Sequence, residues 1–260
     1  MLSYSNLGSG PPVLLLHGLF GSKRNWQSVA KNLSNAHSVF AIDLRNHGQS
    51  PHYDEMNYAL MANDVAALMD QLELDSAAIL GHSMGGKVAL QFAQDYPARL
   101  RRLLVVDIAP VTYPDRYSDL IEAMQNLSLQ SFDRRAQVEE RLTKAIPDRS
   151  LRRFLMHNLV KLADGAFAWQ LNLSAIAVNL PNLLGFSSPT TAAKSANYDG
   201  PALAIRGELS DYLDTRGFAE LKVLLPQTEL QSISGAGHWV HAEQPAVFLE
   251  VVRQFLEAEV

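Results

Sequence analysis

Five four-residue apolar runs constrain this chain more than anything else in it. Val13–Leu16 ends at His17-Gly18, Val39–Ile42 at Asp43, Ala77–Leu80 at Gly81, Leu103–Val106 at Asp107, and Ala202–Ile205 shortly before Gly207. Runs without polar alternation suit strands buried on both faces, which is the situation inside a parallel sheet. Parallel neighbours need crossovers, and helical spacing fills the stretches between runs. Tyr58, Met61, Val65, Leu68 and Leu72 step by threes and fours along one face. Phe248, Val251, Val252 and Phe255 do the same behind Pro245, which sits near a helix start where a missing N–H costs nothing. The alternation over 13–110 and again over 202–258 predicts a mostly parallel sheet flanked by helices, the α/β class.

Residues 112–197 break the alternation. Leu151, Leu155, Leu159 and Leu162 recur at helical spacing, and Arg134, Arg135, Arg141, Arg152 and Arg153 supply polar faces. This stretch reads as a helical cap inserted after the strand that ends near Asp107. At 260 residues the length prior lies between one and two domains, and the expectation is a single domain over 1–260 with the cap inside it.

Composition narrows the chemistry. With 47% hydrophobic and 19% charged residues the chain is of the globular type, and its net charge of −5 argues against a nucleic-acid partner. Cysteine is absent, which removes disulfides, thiolate nucleophiles and cysteine-ligated metals. The longest apolar runs, Tyr58–Ala62 and Val65–Met69, fall far short of the ~20 residues of a membrane span. The N-terminus has neither the basic start nor the apolar stretch of a signal peptide. A cytoplasmic protein with no membrane partner is expected.

The most specific local pattern is Gly81-His82-Ser83-Met84-Gly85, with a strand candidate before it and a helix candidate, Gly86–Asp95, after it. Strand, sharp turn and helix in that order expose a serine at a helix N-terminus, where unpaired N–H groups favour developing negative charge. A plain helix-capping serine is the alternative that the flanking pattern disfavours. A serine hydroxyl needs a base. In chains of this pattern the histidine follows late in the sequence, and His238, in the Gly235-Ala236-Gly237-His238-Trp239 loop after the strand candidate Glu229–Ile233, meets that requirement. His241 reads as structural.

Together, His17-Gly18-Leu19-Phe20-Gly21, Asp43-Leu44-Arg45-Asn46-His47-Gly48-Gln49-Ser50, Gly81–Gly86, the run around Val106-Asp107-Ile108-Ala109-Pro110 and Gly237–Glu243 resemble the α/β-hydrolase superfamily. More narrowly they resemble the YbfF-type bacterial carboxylesterases. The resemblance spans about residues 11–258. It implies the α/β-hydrolase fold and a serine carboxylesterase working through a Ser-His-Asp triad on short- to medium-chain acyl esters, with acyl-CoA thioesters as a second substrate class. It places an oxyanion hole at the backbone of Leu19 and Met84.

Two acids remain open. Many α/β-hydrolases carry a G-x-x-D pattern after the strand that follows the insertion. Here Gly207-Glu208-Leu209-Ser210 puts serine at that position, with Asp211 one residue late and Asp214 further on. The other family location is Asp107, which the narrower resemblance favours, leaving Asp211 as the alternative acid. His17 and the Arg45–Ser50 segment read as structural. His47, His52 and Asp54 match no usual metal-ligand spacing, and the mechanism requires no metal and no organic cofactor. Arg149, Arg152 and Arg153 read as a solvated face, with contact to a phosphorylated leaving group such as coenzyme A as the weaker reading. Met124, Phe154, Met156, Phe167 and Trp169 read as core, or else as the lining of an acyl pocket. Fold alone does not set the reaction. Carbon–carbon bond hydrolysis or lysis on the same triad, and a non-catalytic ligand-binding protein, stand as alternatives.

Overall fold

The computed structural model describes residues 1–186 and 198–258. In chain order the elements are β1 (Tyr4–Leu7), β2 (Pro12–Leu16), α1 (Gln27–Leu33), β3 (Ser38–Ile42), α2 (Tyr58–Gln71), β4 (Ala77–His82), α3 (Met84–Asp95) and β5 (Leu100–Val106). There follow α4 (Ser118–Gln125), α5 (Arg135–Leu142), α6 (Arg149–Met156), β6 (Leu159–Lys161), β7 (Phe167–Trp169) and α7 (Leu173–Leu184). The chain then returns to the core through β8 (Ala202–Gly207), α8 (Thr215–Leu224), β9 (Glu229–Ile233), α9 (Val240–Glu243) and α10 (Pro245–Glu257).

Seven strands form one sheet in the order β1-β3-β2-β4-β5-β8-β9. All pairs are parallel except β1 with β3. Because side chains alternate across a strand, each apolar run feeds two cores. Leu14, Leu16, Ile79, Leu103 and Val105 pack with α2 and α3 on one face. Val13, Leu15, Leu80, Leu104 and Val106 pack on the other, where Trp26, Leu33, Phe248 and Val252 cover them. This double burial is why the runs lack polar alternation. The strand order places the ends of β4, β5 and β8 side by side, with His82 paired to Val106 and Val106 to Ile205.

The segment between β5 and β8 packs its apolar residues into the same core as α2 and α3. Met124, Met156 and Phe167 are buried there, and Trp169 packs at its margin. Two expectations for this segment need correction. The helical spacing does not run through Leu159 and Leu162. Helix α6 stops at Met156, and Leu159 begins a two-stranded antiparallel ribbon with β7, while Leu162 is exposed at its turn. Nor do the three arginines share a solvated face. Arg152 is buried and donates to the carbonyls of Ile146 and Pro147, leaving Arg149 and Arg153 outside. Of the expected insertion, residues 187–197 lie outside the described residues.

Lys87 ties both ends of the inserted segment to α3. It is 1% exposed, and its Nζ donates to Val111 O at 2.8 Å, Leu184 O at 2.9 Å and Gly185 O at 2.8 Å. Its ammonium also lies 4.8 Å from the centre of the Tyr113 ring. Three carbonyls and an aromatic face replace the water that a buried ammonium gives up. Burial itself pulls the ammonium down to about 7. Among the described residues, no helix is long and apolar enough to cross a membrane.

Candidate active site

Ser83 sits between β4 and α3 with φ 52° and ψ −120°. Such a conformation is strained for a residue with a side chain, and it persists only where neighbours over-determine it. The two flanking glycines make the turn possible. A Cβ on Gly81 would lie 2.1 Å from Gly85 O, and one on Gly85 would lie 2.4 Å from Leu16 O. The Ser83 N–H donates to Val106 O at 2.9 Å, which fastens the turn to the neighbouring strand.

His238 reaches Ser83 from the loop after β9. Its Nε2 stands 3.1 Å from Ser83 Oγ, and its Nδ1 stands 2.7 Å from Asp107 Oδ2. With Nδ1–H donated to the carboxylate, the Nε2 lone pair faces the serine hydroxyl. The loop is held from two sides. His82 Nε2 donates to His238 O at 2.8 Å, and the Glu243 carboxylate accepts the N–H groups of Gly237 at 2.6 Å and Trp239 at 3.1 Å. Tyr212 stacks on the imidazole face.

Asp107 is fully buried, in a left-handed conformation (φ 51°) at the end of β5. A buried carboxylate must have its oxygens satisfied, and here they are. Oδ1 accepts Gly207 N–H at 3.1 Å, while Oδ2 accepts both the His238 ring and the Ser210 hydroxyl. Ser210 is thus part of the site, although nothing in the sequence pattern marks it beyond its standing where an acid is expected. Its signal was the G-x-x-S spacing itself. Asp211 is not brought to the imidazole. It is exposed and accepts from Arg116 at 2.7 Å, a pairing that holds its carboxyl below the usual range. Asp214 caps α8 through Gly217 N–H.

The loop after β2 lies beside Ser83. His17 Nε2 accepts Leu44 N–H at 3.0 Å while its Nδ1 donates to Gly18 O, and His47 Nε2 accepts Phe20 N–H at 3.2 Å while its Nδ1 donates to Arg45 O. Both rings are buried, and each carries its single proton on Nδ1. Burial lowers the pKa of both, His47 to about 3. Asp43 fastens the same loop by accepting Lys23 N–H and Gln49 N–H. Arg45 makes a two-pronged ion pair with Asp64. The Asp43–Ser50 motif is therefore scaffolding. Within the loop, Gly21 N–H is taken by Gly18 O and Phe20 N–H by His47, whereas Leu19 N–H has no acceptor among the described residues. Met84 opens α3, so its N–H has no intrahelical acceptor.

His241 packs on Trp26 at 4.6 Å between ring centres, and burial together with His238 lowers its pKa to about 4. Two cavities meet at Ser83. The larger runs past Phe20, Leu151, Phe154 and Trp239; the smaller lies under α7. Among the described residues, no group of three acidic or histidine side chains forms a metal cluster, and His47, His52 and Asp54 do not converge on one.

Residues 11–245 match the family described as alpha/beta hydrolase fold. The sn-1-specific diacylglycerol lipase ABHD11 of Xenopus tropicalis is 39% identical over 263 residues, covering 98% of this chain and 81% of the relative. Esterase YbfF of Escherichia coli K12 is 34% identical over 252 residues, covering 96% of this chain and 95% of the relative. Among solved structures, a marine microorganism esterase superposes with a TM-score of 0.93 at 36% identity, covering 98% of both chains.

Proposed function

The chain belongs to the α/β-hydrolase family, and on that footing we propose that it is a serine carboxylesterase acting on short- to medium-chain acyl esters. Ser83 is the nucleophile, His238 the base and Asp107 the acid of its triad. The observation that carries the reading is the unbroken hydrogen-bonded line from Ser83 Oγ through the His238 ring to a fully buried Asp107. Two relatives similar over almost the whole chain, named as a lipase and an esterase, support ester hydrolysis over the other chemistries of this fold.

In the proposed cycle His238 Nε2 takes the proton of Ser83 Oγ as that oxygen attacks the acyl carbonyl carbon. The carbonyl π electrons move onto oxygen, and the resulting alkoxide accepts hydrogen bonds from the N–H groups of Leu19 and Met84. Asp107 keeps the imidazole in the tautomer that makes this transfer possible and offsets the charge of the imidazolium. Collapse breaks the bond to the leaving oxygen, which departs as the alcohol with the proton from His238 Nε2. Water then attacks the acyl-enzyme with the same proton traffic and frees Ser83. A thioester follows the same path with sulfur leaving, so acyl-CoA esters fall within the proposal. The insertion at 112–197 is the proposed cap, and its described part, 112–186, lines both cavities through Tyr117, Phe154 and Leu180.

The test is a burst assay with p-nitrophenyl acetate and butyrate on the wild type and Ser83→Ala. Release of p-nitrophenol by the wild type, with a burst equal to the enzyme concentration and lost in Ser83→Ala, is expected. Equal release from both proteins overturns the proposal.

A further inference from the structure

The two cavities that meet at Ser83 are not equivalent. Only the larger is lined by His238; the smaller has Tyr212 there instead, whose ring lies against the imidazole at 3.9 Å. The leaving oxygen must take its proton from His238 Nε2, so the leaving group lies on the side where that ring is accessible. The acyl chain takes the other side. We infer that the cavity under α7 is the acyl pocket and that the cleft along Phe20, Leu151, Phe154 and Trp239 receives the alcohol. This rests on the esterase reading and adds which end of the ester each wall selects.

The acyl pocket has a partly fixed wall. Met84, Ile108, Leu180 and Leu183 line it together with Tyr58 and Lys87. Leu180 and Leu183 sit one turn apart on α7 and so present one face. The Tyr58 hydroxyl donates to Leu183 O at 2.6 Å, and the Lys87 ammonium spends its three protons on Val111, Leu184 and Gly185. Neither group has a proton left to offer a substrate, and a chain that presses on Tyr58 or Lys87 displaces them only by breaking these bonds. The pocket therefore selects short, apolar acyl groups. The alcohol cleft is walled by Phe20, Leu151, Phe154 and Trp239, the last two with rings 5.7 Å apart, and it suits bulky or planar alcohols.

Two substrate series separate the walls: p-nitrophenyl esters from acetate to octanoate, and acetate esters of methanol, phenol and 1-naphthol. In the wild type, kcat/KM falls sharply along the acyl series once the pocket is full. Leu180→Phe is expected to lower the hexanoate-to-acetate ratio of kcat/KM at least tenfold and to leave the naphthyl-to-methyl ratio within twofold. Leu180→Ala is expected to raise the hexanoate-to-acetate ratio, which covers the case that Leu180→Phe does not fold. Phe154→Ala is expected to shift the naphthyl-to-methyl ratio at least fivefold and leave the acyl ratio within twofold. The inference is overturned if the Leu180 variants act on the alcohol series, if Phe154→Ala acts on the acyl series, or if either substitution shifts both series equally. Absence of Ser83-dependent turnover in both series strikes the esterase reading instead, so the two failures are distinguishable.

Discussion

Tyr212 lies flat against His238, with ring centres 3.9 Å apart and planes inclined by 22°. Its hydroxyl meets that of Tyr117 at 2.7 Å, and its carbonyl accepts from the Tyr113 hydroxyl at 2.5 Å, so the ring is held at both ends. An imidazole hydrogen-bonded only along its edge is still free to tilt, and the stacked ring removes that freedom. Tyr212→Ala should lower kcat on p-nitrophenyl butyrate by about tenfold, an aromatic contact of this kind being worth roughly 1–1.5 kcal/mol. Tyr212→Phe keeps the stack and should stay within about twofold of wild type.

The two candidate acids predict opposite outcomes. Asp107→Asn should reduce kcat by roughly 10³–10⁴, the scale for losing the residue that fixes the histidine tautomer. Asp211→Asn should change kcat by less than about twofold, since its carboxylate serves only an exposed ion pair with Arg116. Steady-state kinetics on one chromogenic ester distinguishes them.

Acid should destabilise the fold well before carboxylates are protonated. His47 and His241 are buried and neutral, their pKa values lowered from 6.5 to about 3 and about 4. Below pH 6.5 the unfolded chain binds protons at these rings while the folded chain does not, so stability falls as pH falls. Each ring costs about 1.4 kcal/mol per pH unit in that window, until the pH approaches its folded pKa. Stability from urea unfolding should be at least about 2.5 kcal/mol lower at pH 5.5 than at pH 7.0, and the double variant His47→Gln/His241→Gln should lose about that much of the dependence, the buried rings of His17 and His82 supplying what remains.

Lys87→Met should remove about 2–3 kcal/mol of stability. The methionine fills much the same volume but leaves the carbonyls of Val111, Leu184 and Gly185 without their donor. A lowered denaturant midpoint with an unchanged slope is the expected signature.

How far the sequence could be read depended on what surrounds each segment. β4 is buried along its whole length, so Ala77–Leu80 announced itself as an apolar run. β1 is an edge strand whose residues are half-buried or exposed, and it carries no such run. The ribbon β6–β7 misled for a different reason: Leu155, Leu159 and Leu162 keep helical spacing by coincidence. The helix stops after Met156, two residues ahead of buried Asn158, whose amide donates to Phe20 O on a distant loop, a partner no local pattern reveals. Ser83 and His238 were legible because turn chemistry and chain order point to them. Asp107 and Asp211 could not be ranked from spacing, since what separates them is burial, and the donors on Asp107 come from 100 and 103 residues away.

The long sequence separations at the site also bear on how the protein comes into being. His238 meets Asp107 across 131 residues and Ser83 across 155. If the triad is as proposed, a nascent chain that ends before His238 carries Ser83 without the base that would activate it. On that proposal reactivity waits for the last strand to be synthesised and paired, and partly made or prematurely terminated copies are expected to be inert towards esters.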